Sequence, residues 1–358
     1  MVAAADTDWA RERLIGFDLI RTWAFVAIVV YHCVWFFWPT LEGPPVPMET
    51  PFAHFIMDIY SRHFSFSGIT LVFITGFLFG LKRQIFAGKW WLPFFLLGGW
   101  VAFSLILMLH DGGPFRMAWD VYPLLIVGTL SGMLLYRTES RRLLWSVFTL
   151  MAVALSVPFW LLEDQLPFSD YWIQVLVGQC PNAEWPVLPW VFLVWGGIAL
   201  GRIYRFAREE YSPEKFMLTR AEWMACIAAV ATLLYVSRRW IVVPGTPEFS
   251  CFTLRQPWAN FWGYFVGLLA LMRMSIDPRI QRWLKANPLT RSISALAFNR
   301  SFFVAYVGHY VALAVLTPCF VALGLFETAY GYDLGLAGIL VLAELIPRTY
   351  RAIRANRL

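Results

Sequence analysis

The sequence predicts an all-α integral membrane protein of about ten transmembrane helices, with both termini cytoplasmic. Three observations carry this. The chain is 59% hydrophobic and only 15% charged, where a soluble chain carries about 25% charge. About ten apolar stretches approach the roughly 20 residues that cross a bilayer at about 1.5 Å rise per residue. The basic residues sort to one side of the loops between them.

The apolar stretches lie at 14–38, 64–81, 90–109, 119–136, 143–162, 186–204, 221–243, 257–274, 301–326 and 329–347. With the N-terminus inside, the cytoplasmic side holds 23 of the 29 Lys and Arg, among them Arg13, Lys82, Arg141, Arg202, Lys285, Arg291 and Arg300. The opposite side holds Arg62, Arg116, Arg238, Arg239 and Arg255, and Arg21 lies within the first span. A wrong span count would scramble this asymmetry, so the positive-inside pattern supports ten spans. Residues 1–13 form a cytoplasmic segment, 14–347 the transmembrane domain and 348–358 a basic cytoplasmic tail. A polar-leaning segment precedes a long first span with no small-residue cleavage site after it, so the N-terminus is expected to be retained.

The net charge of +6 is what this sorting produces and calls for no nucleic-acid partner. The lipid bilayer is the expected partner. No Gly-rich phosphate loop and no Cys/His metal spacing is present, and no metal is expected. Cys33, Cys226 and Cys319 fall in spans and are expected to be buried small apolar residues. Cys180 and Cys251 fall in two external loops. They pair if that side is oxidising and their geometry allows.

The first span is unusual. LIGFDLIRTWAFVAIVVYHCVWFFW holds Asp18, Arg21 and His32. A charge near mid-membrane costs roughly 2.5–3.5 kcal/mol on insertion scales and usually faces the protein interior. Eleven residues separate Arg21 from His32, about 20° past three full turns, so the two share one face about 16 Å apart. Asp18 is three residues before Arg21, close enough to pair with it. Arg stays charged and offers a planar fork of donors. His takes and returns a proton near neutral pH. One reading is a site for a long substrate, gripped by Arg21 and deprotonated by His32. The other is a buried ion pair that fixes helix packing, with His32 bonded to a carbonyl.

These residues also carry a resemblance. FDLIRTWAFVAIVVYH resembles the opening of the acyltransferase 3 family, integral membrane O-acyltransferases of similar helix number. Asp18, Arg21 and His32 match its acidic, Arg and His positions. LVFITGFLFG resembles its second helix, with Thr75 replacing Ser before Gly76. EWPVLPW resembles its Trp-x-x-Leu segment at Trp185 and Leu188. NRSFFVAYVGHY resembles its late helix at Ser301, Tyr306 and His309. The family's Arg-rich stretch after the second helix is reduced here to LKRQIFAGKWWLP, with Lys82, Arg83 and Lys89. The fused extracytoplasmic domain of many members has no counterpart.

The resemblance implies transfer of an acyl group from cytoplasmic acetyl-CoA, or a related acyl-CoA, to a hydroxyl of a surface glycan or lipid-linked sugar. It implies a bacterial inner membrane, and direct delivery to the acceptor or help from a partner. Asp18 and His32 would be catalytic. Arg21, with Lys82, Arg83 and Lys89, would hold the donor. Thr75, Trp185, Arg238, Tyr306 and His309 are the remaining candidates. His309 either completes the site or is a packed histidine. Thr75 and Gly76 either line it or let helices approach closely. Arg238 either binds an anionic acceptor or snorkels to lipid headgroups, and the external Trp185 fits sugar binding or an interface belt. Two rival functions remain. A secondary transporter would use Arg21 and His32 as a proton relay, but the inverted repeats common in transporters are not visible. A non-catalytic sensor or assembly subunit would keep the fold alone. A homo-oligomer or a polysaccharide assembly complex is compatible with either.

Overall fold

The computed structural model describes residues 12–37, 50–82, 92–111, 121–156, 175–176, 187–239, 258–328 and 330–355. Among the described residues the chain is helical, with no strand. The helices are α1 (Ile15–Phe37), α2 (Pro51–Leu81), α3 (Leu92–Asp111), α4 (Val121–Ser131), α5 (Met133–Arg137), α6 (Arg141–Ser156) and α7 (Val187–Glu210). They continue as α8 (Arg220–Arg239), α9 (Trp258–Ile276), α10 (Pro278–Ala286), α11 (Pro288–Ala295), α12 (Ala297–Arg300), α13 (Phe302–Ala322) and α14 (Gly331–Ala355). Each expected apolar stretch coincides with one of the longer helices over most of its length.

Two helices, α7 and α13, are long and apolar enough to cross a membrane by length and composition among the described residues. Four more apolar stretches, at Ser67–Leu81, Pro93–Ile106, Val121–Ser131 and Phe261–Ile276, are shorter. Several helices turn large apolar side chains outward. Phe94, Leu97, Val101 and Leu105 make one exposed stripe on α3, Ile227 and Leu234 lie exposed on α8, and Val341 and Leu345 on α14.

Boundaries differ from expectation in three places. α2 starts at Pro51 rather than near 64, because Pro suits a first helical turn and the polar residues that lower its hydropathy do not break a helix. The stretch 119–136 is interrupted at Gly132. Ser131 bonds back to the Val127 and Gly128 carbonyls, which bends helices, and Gly is a weak helix former. The last helix does not stop near 347, since α14 runs on to Ala355, into the residues expected to form the basic tail.

α1 is the hub. It touches α2, α9, α10, α11, α12, α13 and α14, which is why Phe17, Phe25, Val29 and Cys33 are fully or nearly fully buried. The tightest pair is α2 with α7. Gly76-x-x-x-Gly80 on one faces Gly197-x-x-x-Gly201 on the other. A Cβ on Gly76 or Gly80 would strike the Val194 or Ile198 carbonyl, and one on Gly197 or Gly201 would strike the Phe73 or Phe77 carbonyl. Backbones meet directly, as small-residue stripes allow.

The segments assigned to the cytoplasmic side gather at one end of the bundle. Arg202 Nη2 donates to the Thr138 carbonyl at 2.6 Å and Arg205 Nη1 to that of Lys82 at 3.2 Å. Arg208 donates to the Glu12 carbonyl at 3.3 Å, and Arg273 Nη1 to that of Phe216 at 2.9 Å. Asp277 anchors this end. Its carboxylate accepts from the Leu218 and Arg279 backbone N–H groups and from the Arg279 guanidinium. Burial pushes its pKa up, but these bonds outweigh burial and hold it down at about 2.

Candidate functional site

His32 points into the bundle from α1 and is buried. Its Nδ1 lies 2.8 Å from His309 Nε2 and its Nε2 lies 2.8 Å from the Tyr310 hydroxyl. Tyr306, His309 and Tyr310 come from consecutive turns of α13, at spacings that share a helix face. All three are fully buried. Tyr306 sets its ring edge-on to His309 at 5.0 Å and to His32 at 6.3 Å. Phe25 of α1 meets His309 at 5.8 Å, Phe103 of α3 meets Tyr310 at 4.7 Å, and Tyr122 of α4 stacks on Tyr306 at 5.6 Å. Two imidazoles and a phenol are thus bonded in a row inside an aromatic box.

Each ring nitrogen of His32 thus has a bonded partner, and which of them carries the proton is a matter of tautomer. In the tautomer with the proton on Nδ1, His32 donates to His309 Nε2 and the Tyr310 hydroxyl donates to His32 Nε2, which is then the basic nitrogen.

About 16 Å along α1, Arg21 sits in a different setting. Its Nε donates to Asn299 Oδ1 at 3.2 Å and its Nη2 to Asp18 Oδ1 at 3.3 Å and to the Asn299 carbonyl. Asp18 Oδ2 also accepts from Arg13 Nε and Ser294 Oγ, each at 2.6 Å. Asn299 Nδ2 donates to Thr22 Oγ1 and to the Ile293 carbonyl. The short helices α11 and α12 deliver Ser294 and Asn299. Glu344 of α14 positions α12 by accepting from the Ala297 N–H. Asp18 is buried with three partners, so most of its acceptor capacity is taken up by the fold.

The remaining candidates are scattered. Thr75 is buried on α2, and its Oγ1 has no hydrogen-bond partner among the described residues. Gly76 beside it serves the α2–α7 contact. Lys82 is exposed past the end of α2, over the Phe79 ring at 5.3 Å. Leu188 has extended backbone near the start of α7. Arg238 lies in the last turn of α8. Arg83, Lys89, Cys180, Trp185 and Cys251 lie outside the described residues. Cys33 and Cys226 are buried, but Cys319 is exposed, because it lies on the outward face of α13 beside Pro318. No group of three or more His, Cys, Asp or Glu that could hold a metal occurs among the described residues.

Tyr310, Asn299, Ser294 and Arg13 are the members of these clusters that sequence reasoning missed. Tyr310 directly follows His309, and a phenol beside an intramembrane His was a usable signal. Nothing in the sequence marks Asn299 or Ser294, whose roles arise from how α11 and α12 fold back on α1. Compared with protein-family models, curated proteins and solved structures, the chain matches none.

Proposed function

We propose that the protein is a membrane-embedded O-acyltransferase of the acyltransferase 3 type. It spans the bilayer about ten times with both termini inside, and moves an acetyl or related acyl group from cytoplasmic acyl-CoA to a hydroxyl of a glycan or lipid-linked sugar. The exposed apolar stripes on α3, α8 and α14 support the embedding, since large apolar patches mark surfaces that meet another apolar phase. The observation that carries the activity is the oriented base. His32 Nε2 meets a hydroxyl at 2.8 Å and His309 holds Nδ1 from behind at 2.8 Å, so the tautomer protonated on Nδ1 presents the Nε2 lone pair to that hydroxyl.

The chemistry follows from that arrangement. An acceptor hydroxyl takes the place of the Tyr310 O–H at His32 Nε2. Its proton passes to Nε2 while its oxygen attacks the thioester carbonyl. The carbon–sulfur bond then breaks, the ester forms, and the proton passes from Nε2 to the departing thiolate. His309 accepts from Nδ1–H throughout and steadies the imidazolium. Arg21 lies toward the donor side. Asp18, catalytic by the resemblance, acts in this reading by positioning Arg21.

The test is turnover of radiolabelled acetyl-CoA by purified protein in nanodiscs, wild type beside His32→Ala. Thioester consumption by the wild type and none by the variant supports the reading. No consumption and no binding of any acyl-CoA by well-folded protein sinks it. The bonded His309–His32–Tyr310 row would then favour a proton-coupled transporter.

A further inference from the structure

A cleft of about 360 Å³ opens at the inner end of α1. Arg13, Lys285, Arg291 and Arg300 line it, with Glu12 and Ser294. Four cations thus meet one carboxylate. They come from the segment before α1 and from α10, α11 and α12, so convergence in space creates the site. Positive-inside sorting explains why this side is basic, but not why four cations from four segments surround one hollow.

Their commitments differ. Arg13 is held by Asp18 and by the Ser294 carbonyl at 2.8 Å. Lys285 is paired with Glu12. Arg291 and Arg300 are exposed and make no ion pair among the described residues. Two guanidinium groups therefore line the hollow with no carboxylate paired to them among the described residues. Arg recognises phosphate through paired donors, and ligand sites commonly measure about 300–1,000 Å³. The hollow is larger than one phosphate needs.

We propose that this cleft is a binding site for a phosphate-bearing anion, gripped by Arg291 and Arg300, with Arg13 and Lys285 forming its floor. Glu12 is its internal competitor, since an entering phosphate takes Lys285 from it. The anion is either the phosphorylated end of a soluble nucleotide-type ligand or the headgroup of an anionic phospholipid. The site is remote from His32 and stands or falls apart from the acyl-transfer reading.

The experiment uses the full chain in phosphatidylcholine nanodiscs titrated with adenosine 3′,5′-bisphosphate, read by calorimetry. A second arm exchanges phosphatidylglycerol into the discs and reads retained lipid by native mass spectrometry. Saturable binding is expected in at least one arm. It weakens about tenfold in Arg291→Gln/Arg300→Gln, as loss of charge-assisted bonds predicts, and tightens in Glu12→Gln. Arg282→Gln, an exposed position on α10 outside the cleft, leaves it unchanged. Binding in the first arm names a soluble ligand, and in the second a lipid. Absence of binding in both overturns the proposal. So does equal weakening by Arg282→Gln, which would mean a diffuse surface field. If the double variant fails to fold, either single variant carries the same comparison.

Discussion

Asp18 and His32 sit on one helix, about 21 Å apart along its axis, and their surroundings are opposite. Asp18 is tied down, with two guanidinium groups and a hydroxyl on its two oxygens. His32 lies among rings, bonded to another imidazole and to a phenol. A charge in the first setting is neutralised by design of the fold and locks α1 to α11 and α12. A base in the second is held by ring partners that can exchange a proton with it. Two ionisable residues that look alike on a hydropathy plot are thus a fastener and a candidate reagent.

Four substitutions can break or sharpen this contrast. His32→Ala has the largest expected effect. Turnover falls by about 10²–10⁴-fold, the usual worth of a general base, while the melting temperature in detergent stays close to wild type. A large melting loss with proportionate loss of activity would put His32 among the fasteners instead.

Asp18→Ala is expected to do the reverse. It removes the carboxylate shared by Arg13, Arg21 and Ser294 and leaves the buried Arg21 without its counter-charge, and breaking a buried pair costs about 3–5 kcal/mol. Denaturant or thermal melting checks this. Asp18→Ala/Arg21→Met removes both charges and should recover part of the loss, as coupled neighbours do. Wild-type melting in the single variant would show that Asp18 fastens nothing.

Gly201→Val leaves both clusters alone and separates their effects from general packing damage. Its side chain meets the Phe77 carbonyl across the α2–α7 seam, and overpacking costs about 1–3 kcal/mol. Stability should drop while the acyl-CoA turnover per folded molecule persists. Loss of turnover without loss of stability would tie the seam to the site.

Asp277→Asn tests a second tied-down carboxylate, outside the spans. Its pKa is depressed to about 2, below the usual value of about 3.9. Its stabilisation is therefore complete above about pH 4 and is lost as pH falls through about 2. The variant should lose about 1–2 kcal/mol near neutrality, from hydrogen bonds to a charged group, and should show a flatter stability profile between pH 4 and 2. An unchanged acid limb would assign the acid sensitivity elsewhere.

Much of the architecture was legible in the chain. Apolar runs marked the helices because burial in either lipid or protein demands the same composition over the same length. Gly132 and Pro51 were harder, since hydropathy averages over a window and does not register a bend or an early start. His32 stood out because an ionisable group in an apolar run is costly and rarely accidental. His309 stood out for the same reason, but with its two readings open.

Pairing is the part that periodicity does not contain. His32 and His309 are 277 residues apart, and Arg21 and Asn299 are 278 apart. The sequence by itself determined the helices, the charge sorting and the shared face of Arg21 and His32, because these are local or compositional properties. The tertiary structure alone decided that Asp18 is tied to three donors, that Tyr310 meets His32 Nε2, and that four distant cations share one hollow. Each of those depends on which helix faces which, and that is set by the summed packing of the bundle around α1.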